Sequence, residues 1–174
     1  MWRQQGATPD LLMPSSLRAR IVVLSDAASL GEREDRSGPA VCESLEANGW
    51  SVLSCEILPD DIAVIRARLE ALTNIDDFEG IFTTGGTGLG PRDVTPEATR
   101  AVIEREVPGL AELMRAEGVK ETRMAALSRG VVGVRQGKVI VNLPGSPRGA
   151  TQSLSAIIDL LPHIIDLIQG RTEH

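Results

Sequence analysis

Short apolar runs alternate with segments of helical spacing along this chain, and this alternation constrains the fold more than any other feature. The runs are RIVVLS at 20–25, WSVLSCEIL at 50–58 and GIFTT at 80–84. The first run is continuously apolar, which is typical of a strand covered on both faces. Helices are predicted after them, from Ser37 to Asn48, after Pro59-Asp60-Asp61 and over 95–107. The order predicts a three-layer α/β/α fold with a mainly parallel sheet.

The C-terminal part of the chain carries a different signal. VVGVR at 131–135 and KVIVNL at 138–143 flank Gln136-Gly137, a two-residue turn that predicts a β-hairpin. A final helix is predicted over 148–169, bent or divided at Pro162 because proline cannot donate a helical hydrogen bond.

The length of 174 residues is in the usual range for one domain. Residues 1–18 mix Gln, Pro, Ser and Arg without a period, which favours a flexible N-terminal arm. We therefore expect an arm over 1–18 and one domain over 19–174.

The charge and the hydropathy pattern limit the possible partners. The net charge of −6 and a pI near 5.0 argue against a protein that tracks a nucleic-acid backbone. No apolar run approaches the length of a membrane span. We expect a cytoplasmic protein that acts on small ligands, with no nucleic-acid or membrane partner.

The stretch TTGGTGLGPRDVTPEATR, residues 83–100, follows an apolar strand and leads into a predicted helix. Ligands of open α/β sheets bind at such carboxyl ends of strands. The glycines at 85, 86 and 88 allow an anion to approach backbone N–H groups closely. Pro91-Arg92 stands where a P-loop needs Lys-Ser/Thr, and Pro91 also breaks the dinucleotide fingerprint. A tight connection without a ligand remains the alternative.

Carboxylates must carry any acid, base or metal-binding role, because the only histidines are His163 and His174. Asp93 lies near the next helix start, where Thr95 can cap the helix. Asp26, Asp35 and Asp60 follow the first two strands and should reach the same sheet edge. A carboxylate beside a bound phosphate favours Mg²⁺ between them. Each aspartate could also be a solvated loop residue or a helix cap.

Another rigid turn follows the hairpin. NLPGSPRGA, residues 142–150, places Asn142 and Ser146 at a strand end. The pair Ser128-Arg129 precedes the hairpin, and the planar guanidinium of Arg129 suits an anion. The NLPGSPRGA turn could instead have only a structural role. Ser128 and Arg129 could instead be a pair of surface residues without a ligand.

Taken together, these motifs resemble the molybdopterin adenylyltransferases and their paralogues in molybdenum cofactor biosynthesis. The resemblance covers residues 20–169. It rests on Ser25-Asp26, DRSGP at 35–39, Pro59-Asp60, TTGGTG followed by DVTPEAT, REVPG at 105–109, LSRG at 127–130 and NLPGSP at 142–147.

The resemblance implies a homotrimer that transfers an adenylyl group from Mg-ATP to the terminal phosphate of molybdopterin, with no permanently bound metal. It implies catalytic, Mg²⁺-binding roles for Asp60 and Asp93, and other cofactor-biosynthesis proteins as partners. Nucleotide phosphates would contact Thr84, Gly85, Gly86, Thr87, Gly88 and Thr95. The pterin side would involve Ser25, Asp26, Asp35, Ser128, Arg129, Asn142, Pro144, Gly145 and Ser146.

Other functions remain open at this point. The chain resembles the short members of the family, some of which share the fold without an established adenylyltransferase activity. The first alternative is therefore a non-catalytic molybdopterin-binding or scaffold protein. The second is a related nucleotide-processing protein with a different acceptor.

Overall fold

The computed structural model describes residues 16–171, so residues 1–15 of the predicted arm lie outside the described part. Arg18, the last residue of that arm, already belongs to a strand. The strands are β1 Arg18–Leu24, β2 Ser51–Leu58, β3 Gly80–Thr84, β4 Arg105–Glu106, β5 Val132–Arg135 and β6 Lys138–Leu143. The α-helices are α1 Asp26–Ser29, α2 Ser37–Ala47, α3 Ile62–Thr73, α4 Thr95–Arg100, α5 Pro108–Gly118, α6 Pro147–Ser155 and α7 Leu161–Ile168, and a 3₁₀ helix spans Arg123–Leu127.

The six strands form one sheet in the order β2-β1-β3-β6-β5-β4. The pairs β1–β2, β1–β3 and β3–β6 are parallel, whereas β5 and β4 run antiparallel to their neighbours. The mainly parallel α/β sheet predicted from the sequence is confirmed. Because β1, β2, β3 and β6 are parallel to one another, the loops that follow them meet at one edge of the sheet.

The alternating side chains of β1 divide the core into two layers. Ile21 and Val23 pack into a cluster with apolar residues of α2, α5, α6 and α7. Val22 and Leu24 pack on the other face with residues of α3 and α4. Successive residues of a strand point to opposite faces, so a strand covered on both sides is apolar throughout. This arrangement is the predicted three-layer order.

The predicted C-terminal hairpin and divided helix are also confirmed. Gln136 and Gly137 both have positive φ, 47° and 74°, as the tight turn between β5 and β6 requires. The last helical segment breaks between Ser155 and Leu161, and Pro162 lies in the first turn of α7. Proline is tolerated there because the first N–H groups of a helix have no helical partner.

The predicted helix over 95–107 is wrong in its second half. Helix α4 ends at Arg100, and 105–106 form the short strand β4. The N–H groups of Glu104 and Val107 donate to the carbonyls of Val134 and Val132, which lie in β5, over 2.9 and 2.7 Å. Pairing with the sheet therefore overrides the local helical pattern. Among residues 16–171, no helix is long and apolar enough to span a membrane.

Candidate functional site

The glycine loop, residues 85–90, begins directly after β3 with a backbone conformation that residues carrying a side chain rarely adopt. Gly85 and Gly86 have φ values of 104° and 65°, in the region that favours glycine. A Cβ on Gly85 would lie 2.2 Å from the carbonyl oxygen of Leu24, and one on Gly86 would lie 2.3 Å from Thr95 Oγ1. The loop therefore needs glycine at both positions for space as well as for backbone angle.

Thr84 and Thr95 hold this loop in place from either side. Thr84 Oγ1 donates to the carbonyl of Pro144 over 2.7 Å, and Thr95 Oγ1 donates to the carbonyl of Gly85 over 2.9 Å. The predicted capping role of Thr95 is wrong, because Thr95 is the first residue of α4 and the N-cap is Val94. Its buried hydroxyl fastens the loop instead.

Asp26 and Asp60 exchange backbone hydrogen bonds across two neighbouring loops. The N–H of Asp26 donates to Oδ2 of Asp60, and the N–H of Asp60 donates to Oδ1 of Asp26, each over 2.9 Å. Asp61, not Asp60, caps α3, accepting from the N–H groups of Ala63 and Val64. The capping task thus falls to the neighbour and leaves Asp60 available to the site.

The carboxylate of Asp60 has an oxygen that the protein does not satisfy. Its Oδ1 is buried and has no hydrogen-bond partner. Burial raises the pKa of Asp60 above its ordinary value, and the negative charges of Asp26 and Asp93 act in the same direction. A buried acceptor without a donor is costly, so this atom is a candidate for contact with a ligand or cation.

Arg92 binds the carboxylate of Asp26 in a bidentate manner. Its Nε and one terminal nitrogen lie 2.9 and 3.0 Å from the two oxygens of Asp26. These charge-assisted hydrogen bonds from Arg92 lower the pKa of Asp26. Asp93, the next residue, accepts the N–H of Gly90 through Oδ2 over 2.8 Å, which closes the glycine loop.

Arg129 stabilises the same loop rather than presenting a free cation. Its guanidinium donates to the carbonyls of Gly88 and Asp93, each over 2.7 Å, and pairs with Glu97. The backbone N–H of Arg129 also donates to the carbonyl of Thr87. Arg129 therefore ties the loop to the segment before β5, which is a supporting role for the site.

Asn142 is almost fully buried, and both ends of its amide are occupied within the protein. Oδ1 accepts the N–H of Val131 over 3.2 Å, and Nδ2 donates to the hydroxyls of Thr83 and Thr99 over 3.0 Å. Only 1% of its surface is exposed. It thus orders the strand ends below the site.

A polar cavity of about 710 Å³ lies beside the loops after β1, β2 and β3. We call it the polar cavity, and its site-forming residues are Ser25, Arg33, Asp35, Arg36, Asp60, Thr84, Gly85, Gly86, Asp93, Gly145 and Ser146. Ser25 accepts from Ala28 as the cap of α1, and Asp35 accepts from Ser37 and Gly38 at the start of α2. Hydrogen bonds to the first turns of α1 and α2 therefore fix Ser25 and Asp35 at the edge of the polar cavity.

An adjacent cavity of about 500 Å³ has a mainly apolar lining. We call it the apolar cavity, and it is formed by Gly86, Thr87, Gly88, Leu89, Asp93, Met114, Arg115, Met124, Leu127, Ser128, Gly130, Asn142, Pro144, Gly145 and Ser146, with small residues of α5 and α6. Four residues line both cavities: Gly86, Asp93, Gly145 and Ser146. The two spaces thus meet at a shared wall built from the glycine loop and the NLPGSP turn.

The structure brings most of the sequence-predicted site residues to these cavities. Asp26, Thr95 and Arg129 are the exceptions, since they support the loops without lining either space. The sequence analysis did not identify Arg33 and Arg36 as site residues, although they lie in the same loop as Asp35. It also missed Met114 and Arg115 of α5, because the segment between 108 and 127 carries no motif that points to a ligand.

The polar cavity presents two carboxylates that can hold a cation together. Within residues 16–171, no group of three or more His, Cys, Asp or Glu side chains is arranged to hold an ion. Asp60 and Asp93 line the same cavity, and the unpartnered Oδ1 of Asp60 can accept a cation. Two carboxylates completed by phosphate oxygens suit Mg²⁺, which keeps few protein ligands.

Known proteins resemble this chain over most of its length. The Helicobacter pylori J99 protein named "Molybdopterin adenylyltransferase" is 38% identical over 152 residues, which cover 86% of this chain and 86% of that protein. The Drosophila melanogaster "Molybdenum cofactor synthesis protein cinnamon" is 37% identical over 154 residues. The match covers 88% of this chain but only 26% of that longer protein.

A solved structure shares the fold as well as the sequence. The molybdopterin biosynthesis enzyme MoaB of Thermus thermophilus superposes with a TM-score of 0.83 at 48% identity, covering 88% of this chain and 97% of that one. The family model described as "Probable molybdopterin binding domain" matches residues 20–163, which include every residue of the shared wall. This chain belongs to that family of molybdenum cofactor biosynthesis proteins.

Proposed function

We propose that this protein transfers the adenylyl group of Mg-ATP to the terminal phosphate of molybdopterin and releases pyrophosphate. The observation that carries the proposal is the shared wall of Gly86, Asp93, Gly145 and Ser146 between two cavities. A reaction between two phosphate-bearing substrates requires two binding spaces that meet where the phosphates react. The relatives named molybdopterin adenylyltransferase support this assignment.

The two cavities suit different chemical groups of the substrates: a heterocyclic ring in the apolar cavity and phosphate groups in the polar cavity. The apolar cavity presents Met114, Met124 and Leu127, which can contact the faces of a heterocycle. The polar cavity presents Arg33 and Arg36, whose charges suit phosphate groups. The reacting phosphates of both substrates would lie at the shared wall, where glycines expose backbone N–H groups.

The chemistry needs little from protein side chains. An oxygen of the molybdopterin phosphate attacks the α-phosphorus of ATP, and the bond to the bridging oxygen of the departing pyrophosphate breaks. The nucleophile is already anionic at neutral pH, so no general base is required. Positioning and charge neutralisation then account for catalysis, as in other phosphoryl-transfer sites. This is consistent with the lack of a histidine among the residues that line the two cavities.

Asp60 and Asp93 would hold the Mg²⁺ that arrives with ATP. Bound there, the cation would neutralise negative charge on the phosphates beside these carboxylates. Asp60 offers its unpartnered Oδ1 and Asp93 lines both cavities. The protein's own part is to hold these carboxylates in place through the N–H groups of Asp26 and Gly90.

We propose a cytoplasmic homotrimer that exchanges molybdopterin with other proteins of cofactor biosynthesis. Analytical ultracentrifugation would test the assembly directly, since a monomer of 18.6 kDa and its trimer sediment far apart. A monomer at micromolar concentration would contradict the proposed trimer without affecting the proposed reaction.

Pyrophosphate release with molybdopterin and Mg-ATP tests the reaction. We expect turnover by wild type and a loss of at least about 100-fold in kcat for Asp60→Asn and Asp93→Asn. Asp61→Asn is the matched control, because it removes a neighbouring charge from an exposed helix cap outside both cavities. Wild type that binds molybdopterin without releasing pyrophosphate would instead indicate a non-catalytic binding protein.

A further inference from the structure

Arg92 and Asp26 form an ion pair that lies beside the cavities without lining them. Its geometry is bidentate, yet the side chains are 62% and 39% exposed. Ion pairs with this exposure contribute little to the stability of a fold. An ordered pair at this position therefore calls for a reason other than stability.

The pair connects the two carboxylates of the proposed site. On one side, Asp26 and Asp60 are joined by reciprocal hydrogen bonds of 2.9 Å, so the place of Asp26 determines where Asp60 lies. On the other side, Arg92 directly precedes Asp93 in the chain. Asp26 Oδ1 accepts from both Arg92 and the N–H of Asp60. A short connection thus runs from Asp93 through Arg92 and Asp26 to Asp60.

We propose that Arg92 and Asp26 are positioning residues that fix the separation of Asp60 and Asp93. The inference rests on the proposed adenylyl transfer, in which both carboxylates hold the cation carried by ATP. Loops after three different strands supply these residues: Asp26 follows β1, Asp60 follows β2 and Arg92 follows β3. Without a link between the loops, each carboxylate would move with its own loop, and small displacements in a site of this kind lower kcat strongly.

Steady-state kinetics of Arg92→Gln, Arg92→Lys and Asp26→Ala test the proposal. We expect kcat to fall about 10-fold for Arg92→Gln and about 100-fold for Asp26→Ala, with KM for molybdopterin within about twofold of wild type. Arg92→Lys keeps the positive charge but loses the planar guanidinium that binds both oxygens of Asp26. Its kcat should therefore lie between that of Arg92→Gln and that of wild type. Arg66→Gln is the matched control, because Arg66 forms an exposed ion pair with Glu70 on α3, outside both cavities.

A double variant distinguishes positioning from direct contact with ATP. If the residues act as one connection, Asp26→Ala combined with Arg92→Gln should be no worse than Asp26→Ala alone. If Arg92 contacts phosphate itself, its loss raises KM for Mg-ATP and still multiplies the defect in the Asp26→Ala background. That result, or wild-type kcat in all variants, would overturn the proposal.

Binding of Mn²⁺ in the presence of ATP provides a readout that does not depend on turnover. Electron paramagnetic resonance titration should show Mn²⁺ bound about 10-fold more weakly by Arg92→Gln than by wild type and Arg66→Gln. Absence of turnover by wild type would refute the proposed function, while this titration would still decide the positioning role. Wild type that binds no Mn²⁺ with ATP overturns both. If Asp26→Ala does not fold, the Arg92 variants decide alone, and equal Mn²⁺ affinity refutes the inference.

Discussion

The unpartnered Oδ1 of Asp60 lies against Gly86, where an added Cβ atom would sit 3.2 Å from it. The glycine therefore keeps the space in front of this carboxylate open. The same backbone position has a φ of 65°, so an L side chain would also be strained there. Space and backbone conformation thus require glycine beside the proposed cation-binding oxygen.

Alanine at Gly85 should destabilise the protein markedly. Its φ of 104° and the 2.2 Å approach of a Cβ to the Leu24 carbonyl give strain and overlap together, and we expect a loss of about 2–4 kcal/mol in the free energy of unfolding. Gly109→Ala is the control, because a Cβ there meets no atom within 4 Å. Urea denaturation measures the free energy of unfolding of both variants. A Gly85→Ala protein as stable as Gly109→Ala would contradict the described loop.

Asn142→Ala should lower stability by about 2–4 kcal/mol, even though the residue lines the apolar cavity. The change leaves the N–H of Val131 and the hydroxyls of Thr83 and Thr99 without their buried partner. Asn48→Ala removes only an exposed amide contact and should cost less than about 0.5 kcal/mol. Equal midpoints of the two variants in urea would rule out a structural role of Asn142.

Asp60→Asn should stabilise the fold while it abolishes activity. The pKa of Asp60 is raised in the folded protein, so the folded state binds its proton more tightly than the unfolded state does. Ionisation then costs stability as the pH rises above the unfolded value of 3.8, and the cost is complete above the folded pKa. Removing the charge should raise Tm at pH 7 by about 1–2 °C.

Calorimetry at pH 7 and at about pH 3 provides the check. At the lower pH wild-type Asp60 is largely protonated, so the gain from Asp60→Asn should shrink. An Asp60→Asn protein that melts below wild type at pH 7 would show that the carboxylate is satisfied in the fold.

Glu97 makes the opposite pH-dependent contribution. Its hydrogen bond with Arg129 lowers the pKa of Glu97 below 4.5 in the folded protein. Its stabilisation is therefore present above the unfolded pKa and is lost as the pH falls through the lower, folded value. The difference in stability between wild type and Glu97→Gln should be constant well above the unfolded pKa of 4.5 and shrink as the pH falls below it through the folded value. A difference that stays unchanged across this range would contradict the pairing.

The fold was largely predictable from the sequence because β1, β3 and β6 each contain a run of consecutive buried residues that is mostly apolar, and because the connecting turns contain residues typical of turns. Gln136-Gly137 and Pro162 marked a hairpin and a helix break through local backbone chemistry alone. The region after Arg100 was not predictable in this way. There, hydrogen bonds to β5 across the sheet decide the structure, and no local pattern in 101–107 reports that partner.

For the candidate site too, the residues identified by their place after a strand were predictable, and the roles that depend on distant partners were not. Asp60, Asp93 and the glycines were identified because the loops that follow parallel strands meet at one edge. The roles of Arg129 and Asn142 could not be assigned, since a side chain that binds a ligand and one that binds a loop carry the same polar groups. Only their partners, Glu97 for Arg129 and Val131 for Asn142, show that both are engaged within the protein.

Transfer of labelled phosphate tests the central claim most directly. The protein is incubated with molybdopterin, Mg²⁺ and ATP labelled with ³²P at either the α or the γ position, and the products are separated by chromatography. Adenylyl transfer predicts that α label appears in the pterin product and γ label appears in pyrophosphate. Label from the γ position in the pterin, or hydrolysis of ATP that leaves the pterin unlabelled, would contradict the proposed reaction.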